Sequence, residues 1–136
     1  MGNKVKPLMK DIPGFEGKYA ATQDGRIWTH GAPFQNGKRF YGLTPKFMKT
    51  HLSTNVQPRH RVVLVGDNKR HRFFVHRLIA LTWIPNPENK PEVNHINGDY
   101  QDNRVSNLEW CTRSENQIHS YRVLGRKPNN KKEVIV

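Results

Sequence analysis

The sequence predicts an α+β fold of small antiparallel hairpins and two helices, on three observations. Arg61-Val62-Val63-Leu64-Val65 and Arg70–Phe74 are β-prone runs separated by Gly66-Asp67-Asn68, the pattern of a hairpin. Val75, Leu78, Ile79 and Trp83 then recur at helical spacing and make one apolar stripe. Near the C-terminus, Thr112 and Glu115 have the spacing of a capping box, in which each side chain satisfies a free backbone donor at the other residue.

Residues 1–10 are basic and expected to be loose. Lys18–Thr22 and Arg26–Thr29 flank Gln23-Asp24-Gly25, a glycine-ended turn between two β-prone runs. Residues 30–58 hold scattered Gly, Pro, Asn and Lys, and no order of elements is read from them. The helix opened by Val75 stops before Pro85 and Pro87, and Pro91 keeps the connector extended. Val93–Ile96 reads as a short strand, residues 97–106 as a polar loop opened by Asn97-Gly98, and Leu108–Cys111 as the return strand. The last helix starts at Thr112 and stops near Gly125. Ile118, Tyr121 and Leu124 are its expected buried stripe, and Asn116 and His119 share a different face. The stretch from Arg126 to Lys132 is a basic tail, disordered or bound to phosphate. Trp28, Trp83 and Trp110 are expected in the core, since small cores depend on aromatics. There is no internal repeat.

A chain of 136 residues suits one domain, or two small modules that share a core, and 35% hydrophobic residues predict a thin, loop-rich fold. The formal charge of +12 favours a polyanionic partner, nucleic acid first. That charge is uneven. Residues 1–90 hold 16 basic and 5 acidic side chains, whereas residues 91–136 hold 7 and 6. The first two-thirds is therefore expected to grip a nucleic acid and the last third to act on it. Cys111 is the lone cysteine, which excludes an internal disulfide and a cysteine-rich zinc site and fits a reducing compartment. No apolar run is long enough to span a membrane and no signal-peptide core follows Met1, so a cytosolic protein is expected.

The chemistry concentrates in Val93-Asn94-His95-Ile96-Asn97-Gly98-Asp99, then Asn107-Leu108-Glu109-Trp110, then Asn116-Gln117-Ile118-His119. Phosphodiester hydrolysis needs an activated water, a charge at the departing oxygen, and groups that hold the phosphate in line. A histidine can deprotonate water near neutrality. Amide and carboxylate oxygens suit hard cations such as Mg²⁺ or Mn²⁺.

Asn94-His95, Asn107 and Asn116 resemble the HNH nuclease motif, in the form found in phage and intron homing endonucleases. That resemblance implies a ββα-metal (His-Me finger) unit that clasps one divalent ion, Mg²⁺ or Mn²⁺. It makes His95 the general base, Asn107 the residue that holds the histidine and its loop, and Asn94 and Asn116 metal ligands. His119 is either a ligand in place of Asn116 or a phosphate contact. The family often has Asp at the position of Asn94, and Asp99 and Asp102 are candidates to supply the missing carboxylate. Upstream, Ile12–Tyr19 and Asp24-Gly25-Arg26-Ile27 resemble the small modular domain that often precedes such a unit. Phe74–Ala80 with Trp83-Ile84-Pro85-Asn86-Pro87 resembles its leading helix.

By this resemblance residues 1–72 are a basic DNA-binding module, 73–125 the leading helix and HNH unit, and 126–136 a basic tail. The partner is double-stranded DNA, bound by a monomer or a homodimer. Arg104 and Arg113 are candidates to steady the phosphate, and Lys69, Arg70, Arg72 and Arg77 to grip the backbone. His76 braces a helix N-terminus, and His51, His60 and His71 are surface or phosphate-contact residues. The resemblance implies a free-standing phage enzyme acting in a bacterial cytoplasm. Because the chain stops soon after the last helix, relaxed specificity or reading by the N-terminal module is expected. The alternatives are a non-cleaving DNA-binding protein on a decayed HNH fold and, more weakly, an RNA-binding module, which lacks a recognisable aromatic pair.

Overall fold

The computed structural model describes residues 8–31, 44–54, 56–67 and 69–126. Asn68 of the 66–68 turn, residues 1–7 of the expected loose N-terminus, residues 32–43 and the tail beyond Arg126 lie outside them. The chain runs β1 (Met9–Asp11), β2 (Tyr19–Thr22), β3 (Ile27–Thr29), β4 (Lys46–Phe47), β5 (His51–Leu52), β6 (His60–Gly66), β7 (Lys69–Phe74), α1 (Val75–Trp83), β8 (Glu92–His95), a 3₁₀ turn (Val105–Asn107), β9 (Leu108–Cys111) and α2 (Arg113–Arg122). All strand pairs are antiparallel, in three sheets ordered β1-β2-β3-β4, β5-β6-β7 and β8-β9.

The two hairpins and both helices fall where turn chemistry and apolar spacing put them. Two segments depart from expectation. Met9–Asp11 pairs with Ala20–Thr22 rather than lying loose, because β2 would otherwise present an open edge. Within residues 30–58, Lys46–Phe47 and His51–Leu52 each find a sheet edge of two residues. Such short strands carry no readable alternation, so only the partner strand reveals them.

One apolar core joins the first part of the chain to the last. Ile12, Tyr19, Ile27, Val62 and Leu64 pack with Val75, Leu78, Ile79, Val93 and Leu108 in a single cluster, with α1 at its centre. Two indoles tie the layers: Trp83 donates Nε1–H to Ala21 O and Trp110 to Ile84 O, each at 2.9 Å. Trp28 packs edge-on against Phe47. All three tryptophans are half-buried, as structural aromatics with a polar handle are.

The C-terminal helix differs most from its reading. Its cap is as expected: Thr112 Oγ1 accepts from Glu115 N while Glu115 Oε1 accepts from Thr112 N. It ends one turn before Gly125, whose positive φ of 64° lets Arg126 N donate back to Ser120 O. However, Ile118 is 48% and Tyr121 45% exposed, and no residue of α2 is buried. The face on the β8–β9 hairpin is instead the polar one that carries Asn116 and His119. An apolar stripe shows which residues align, not which side a neighbour covers.

Candidate active site

The site grows from the β8–β9 hairpin. The register pairs Glu92 with Cys111, Asn94 with Glu109 and His95 with Leu108. Side chains alternate along a strand, so Glu92, Asn94, Glu109 and Cys111 share one face while Val93 and Trp110 share the other. Leu108 anchors β9 in the core, and His95 at the strand end is only 3% exposed.

His95 is held by a residue the sequence did not single out. Its ring Nε2 lies 2.8 Å from Oδ1 of the buried Asn103, so Nε2–H donates there and Nδ1 keeps the lone pair. Nδ1 has no hydrogen-bond partner among the described residues and is not sealed in, unlike His76 Nδ1. Burial holds the His95 pKa below the ordinary histidine value. The Asn103 hydrogen bond opposes that shift and the nearby Arg59 charge adds to it. The ring is therefore neutral at neutral pH, the form a general base needs.

Beneath His95 lies His76, with ring centroids 4.8 Å apart. His76 does not brace the helix N-terminus as expected. It is buried, its Nδ1 is unpartnered, and burial pushes its pKa down to about 3. It is a packing residue under the His95 ring.

Asn107 braces the loop rather than the ring. Its Oδ1 accepts from Asn97 N, and its Nδ2 donates to Asn97 Oδ1 and Asp102 O, all at 2.9 Å. These bonds close the polar loop 97–106 and so seat Asn103. The N-terminal hairpin helps from outside. Gln23 O accepts from Val105 N, and Gly25, at φ 92°, approaches Asn103 so closely that a Cβ would lie 2.7 Å from its carbonyl carbon and oxygen. Only glycine meets both demands.

A cleft of about 260 Å³ opens beside His95, lined by Asn94, Asn116, Glu92 and Arg113, and by Gln57, Arg59, Tyr100 and Arg126. Two carboxylates flank its amides. Asn94 Nδ2 donates to Glu109 Oε1, and Asn116 Nδ2 to Glu92 Oε2, each at 3.0 Å. Each bond fixes an amide by its nitrogen and leaves Oδ1 without a hydrogen-bond partner among the described residues. An all-oxygen donor set with carboxylate behind it fits a hard divalent cation by chemistry. Among the described residues no group of three or more His, Cys, Asp or Glu side chains could hold a metal ion, and the amide and carboxylate side chains lining the cleft include Asn94, Asn116 and Glu92.

Several expected site residues are placed elsewhere. His119 does not line the cleft: its Nε2 lies 2.8 Å from Ile96 O and pins α2 to the end of β8. Asp99 and Asp102 do not complete the amide pair. Asp99 Oδ1 accepts from Gln101 N, and Asp102 is bound by Arg104 at 2.7 Å, which lowers its pKa to about 2. In that ion pair Arg104 is turned to Asp102, and it does not line the cleft. Arg77 donates to Pro91 O at 2.9 Å and sits over the Trp110 ring, so it braces the connector before β8. Arg113 does line the cleft. Lys69, Arg70 and Arg72 are exposed on β7, where Arg70 and Arg72 stand opposite Val65 and Val63 on the outer face of the sheet. Glu92, Glu109, Asn103 and Arg59 were missed, because no local pattern marks residues that meet only through strand register and loop closure.

A strand, a braced loop, a return strand and a helix meet around one buried histidine in a ββα arrangement, with Asn94 and Asn116 lining the same cleft. The family model of HNH endonucleases matches residues 73–118, which are an HNH endonuclease domain. The chain is 30% identical over 112 residues to the DNA endonuclease I-HmuI of Bacillus phage SP01, covering 80% of this chain and 56% of that protein. It is also 62% identical over 122 residues, and 36% over 106, to two uncharacterized HNH endonucleases of Acanthamoeba polyphaga mimivirus. Those matches cover 87% and 74% of this chain but only 27% and 26% of the mimivirus proteins. The solved structure of DNA binding and cleavage by the HNH homing endonuclease I-HmuI superposes with a TM-score of 0.69 at 26% identity, covering 89% of this chain and 62% of that one. The fold is therefore the α+β fold of an HNH homing endonuclease. Among the described residues no helix is long and apolar enough to cross a membrane.

Proposed function

We propose that the chain is a metal-dependent DNA endonuclease that hydrolyses one phosphodiester per site. The observation that carries this reading is a neutral, oriented histidine with a free Nδ1 in the same cleft as two carboxylate-backed amides. His95 Nδ1 takes a proton from the attacking water. Asn103 keeps the proton on Nε2, and Asn107 holds the loop that carries Asn103. Asn94 and Asn116 would hold one Mg²⁺ or Mn²⁺ through their Oδ1 atoms, and such an ion supplies positive charge for the leaving 3′ oxygen. Arg113 steadies the phosphate. The products carry a 5′ phosphate and a 3′ hydroxyl.

Duplex DNA is the proposed substrate. Residues 1–72 grip its backbone through the basic outer face of β6–β7, and one site per chain makes a double break the work of a homodimer and a nick that of a monomer. The relatives named above are viral, which fits a free-standing enzyme of a phage or similar element working in the cytoplasm of its host. The non-cleaving alternative was motivated by Asn94 in place of Asp; Glu109 and Glu92 behind the two amides weaken that motive.

The test is incubation of supercoiled plasmid with Mg²⁺ or Mn²⁺, beside an EDTA control and His95→Ala. Relaxed or linear DNA from the wild type alone supports the reading, and His95→Ala retains DNA binding. Cleavage by His95→Ala would remove the base assignment. Gel shifts without cleavage under any divalent ion would favour the DNA-binding alternative.

A further inference from the structure

The cleft beside His95 is not walled by the HNH domain alone. Arg59 comes from the loop before β6, upstream of residue 73 where the family match begins, and it lines the cleft with Asn94, His95 and Asn116. Its backbone is fixed: Ser53 N donates to Arg59 O at 2.9 Å and Arg59 N to Ser53 Oγ at 3.0 Å, with Ser53 buried. Its guanidinium stacks 4.3 Å from the centroid of the Tyr100 ring, in the loop that also carries Asn103. Arg126 packs on the same ring, but its nitrogens are engaged, one with Gly98 O at 2.8 Å and one with the Tyr100 hydroxyl. The Arg59 side chain has no hydrogen-bond or carboxylate partner among the described residues.

A half-buried, rigidly mounted guanidinium with all its donors unused is matched by one common ligand chemistry. The planar fork binds two oxygens of a phosphate at once, and stacking on an aromatic holds it in plane. We propose that Arg59 binds the non-bridging oxygens of the DNA phosphate attacked in the cleft, so that the N-terminal part of the chain completes the site of the HNH domain. This rests on the nuclease reading of the cleft. It differs from the backbone grip assigned to β7, because Arg59 meets the reacting phosphate.

The test uses the full chain. Duplex binding is measured by fluorescence anisotropy in EDTA over a range of salt, for the wild type, Arg59→Gln and Arg59→Lys, and single-turnover plasmid nicking is measured for the same three proteins. Arg59→Gln keeps a planar group on Tyr100 and removes the charge, so its melting temperature reports any loss of fold. The slope of log affinity against log salt falls in magnitude by about 1 in Arg59→Gln, one phosphate contact fewer. Nicking falls by about 10²-fold, as when a donor to the reacting oxygens is removed. Arg59→Lys recovers the salt slope and not the rate, because a point charge lacks the fork. An unchanged slope overturns the proposal. Slower nicking with that unchanged slope would leave Arg59 as a support for Tyr100. If no protein cuts DNA but Arg59→Gln still loses a unit of slope, the hydrolase reading falls and the phosphate contact stands.

Discussion

In the proposed reaction His95 acts through Nδ1, and a single amide decides which nitrogen that is. Asn103 Oδ1 holds the proton on Nε2 at 2.8 Å. Asn103→Ala frees the ring, and kcat is expected to fall roughly 10–100-fold, the usual cost of losing such an orienting partner, with KM little changed. The pH profile separates this from simple damage. The Asn103 bond raises the His95 pKa, so its removal moves the acid limb of kcat to lower pH. The carboxylates behind the amides allow a similar test. Glu109→Gln keeps an acceptor for Asn94 Nδ2 and deletes only the charge. Mn²⁺ affinity, read from the spin resonance of free Mn²⁺, is expected to drop about 10-fold, with an unchanged melting temperature, and Asn94→Asp in that background restores it. Equal affinity in all three proteins would show that Glu109 lends no charge to the amide.

At the scale of elements, the site depends on a turn that does not line the cleft. The β2–β3 turn packs Gly25 on the backbone of Asn103, and Gln23 O accepts from Val105 N in the 3₁₀ turn. Gly25→Ala meets both a φ of 92° and a clash at 2.7 Å. It is expected to destabilise by more than about 1 kcal/mol in urea melts and to slow cleavage through Asn103. Full stability in this variant would mean that the turn does not seat the loop. Most elements were legible because they are local. The 61–74 hairpin, α1 and the cap of α2 follow from alternation, period and capping chemistry within a few residues of each other. The buried face of α2 was not legible, because β8–β9 offers it polar partners in Glu92 and Ile96 O, and these outcompete Ile118 and Tyr121 for the contact.

Across the whole molecule, buried His76 links stability to pH, and His95, its pKa also lowered by burial, adds in the same direction. His76 has a folded pKa of about 3 against an ordinary value of 6.5. The unfolded chain therefore binds a proton that the folded chain refuses, and stability is full above pH 6.5 and declines as pH falls toward 3. By pH 5 the loss is about 2 kcal/mol, a large part of the margin of a small domain. His76→Gln or His76→Leu is expected to reduce the pH dependence of urea unfolding between pH 7 and 5 by most of that amount. A wild-type profile flat over that range would show that His76 is not held so far below its ordinary pKa, and an unchanged slope in the variants would assign the loss to another group. The same core that buries His76 joins residues upstream of 73 to the HNH domain, which is why a charge from the basic part, Arg59, reaches the cleft.

The sequence alone determined the ββα unit and where its proposed site residues sit on it. Asn94, His95, Asn107 and Asn116 sit on a strand, a turn and a helix start that short-range chemistry specifies, and their order along the chain carries the family resemblance. Tertiary structure decided what surrounds them. Strand register set Glu109 beside Asn94, helix docking set Glu92 beside Asn116 and diverted His119 to a backbone carbonyl, and loop closure chose Asn103 as the partner of His95. The packing of the N-terminal hairpins against α1 brought Arg59 to the cleft and left Arg104 and Arg77 on structural partners. The physical reason is range. Propensity, capping and turn preferences act over a few residues, whereas a hydrogen-bond partner is set by which side chains the buried core brings together.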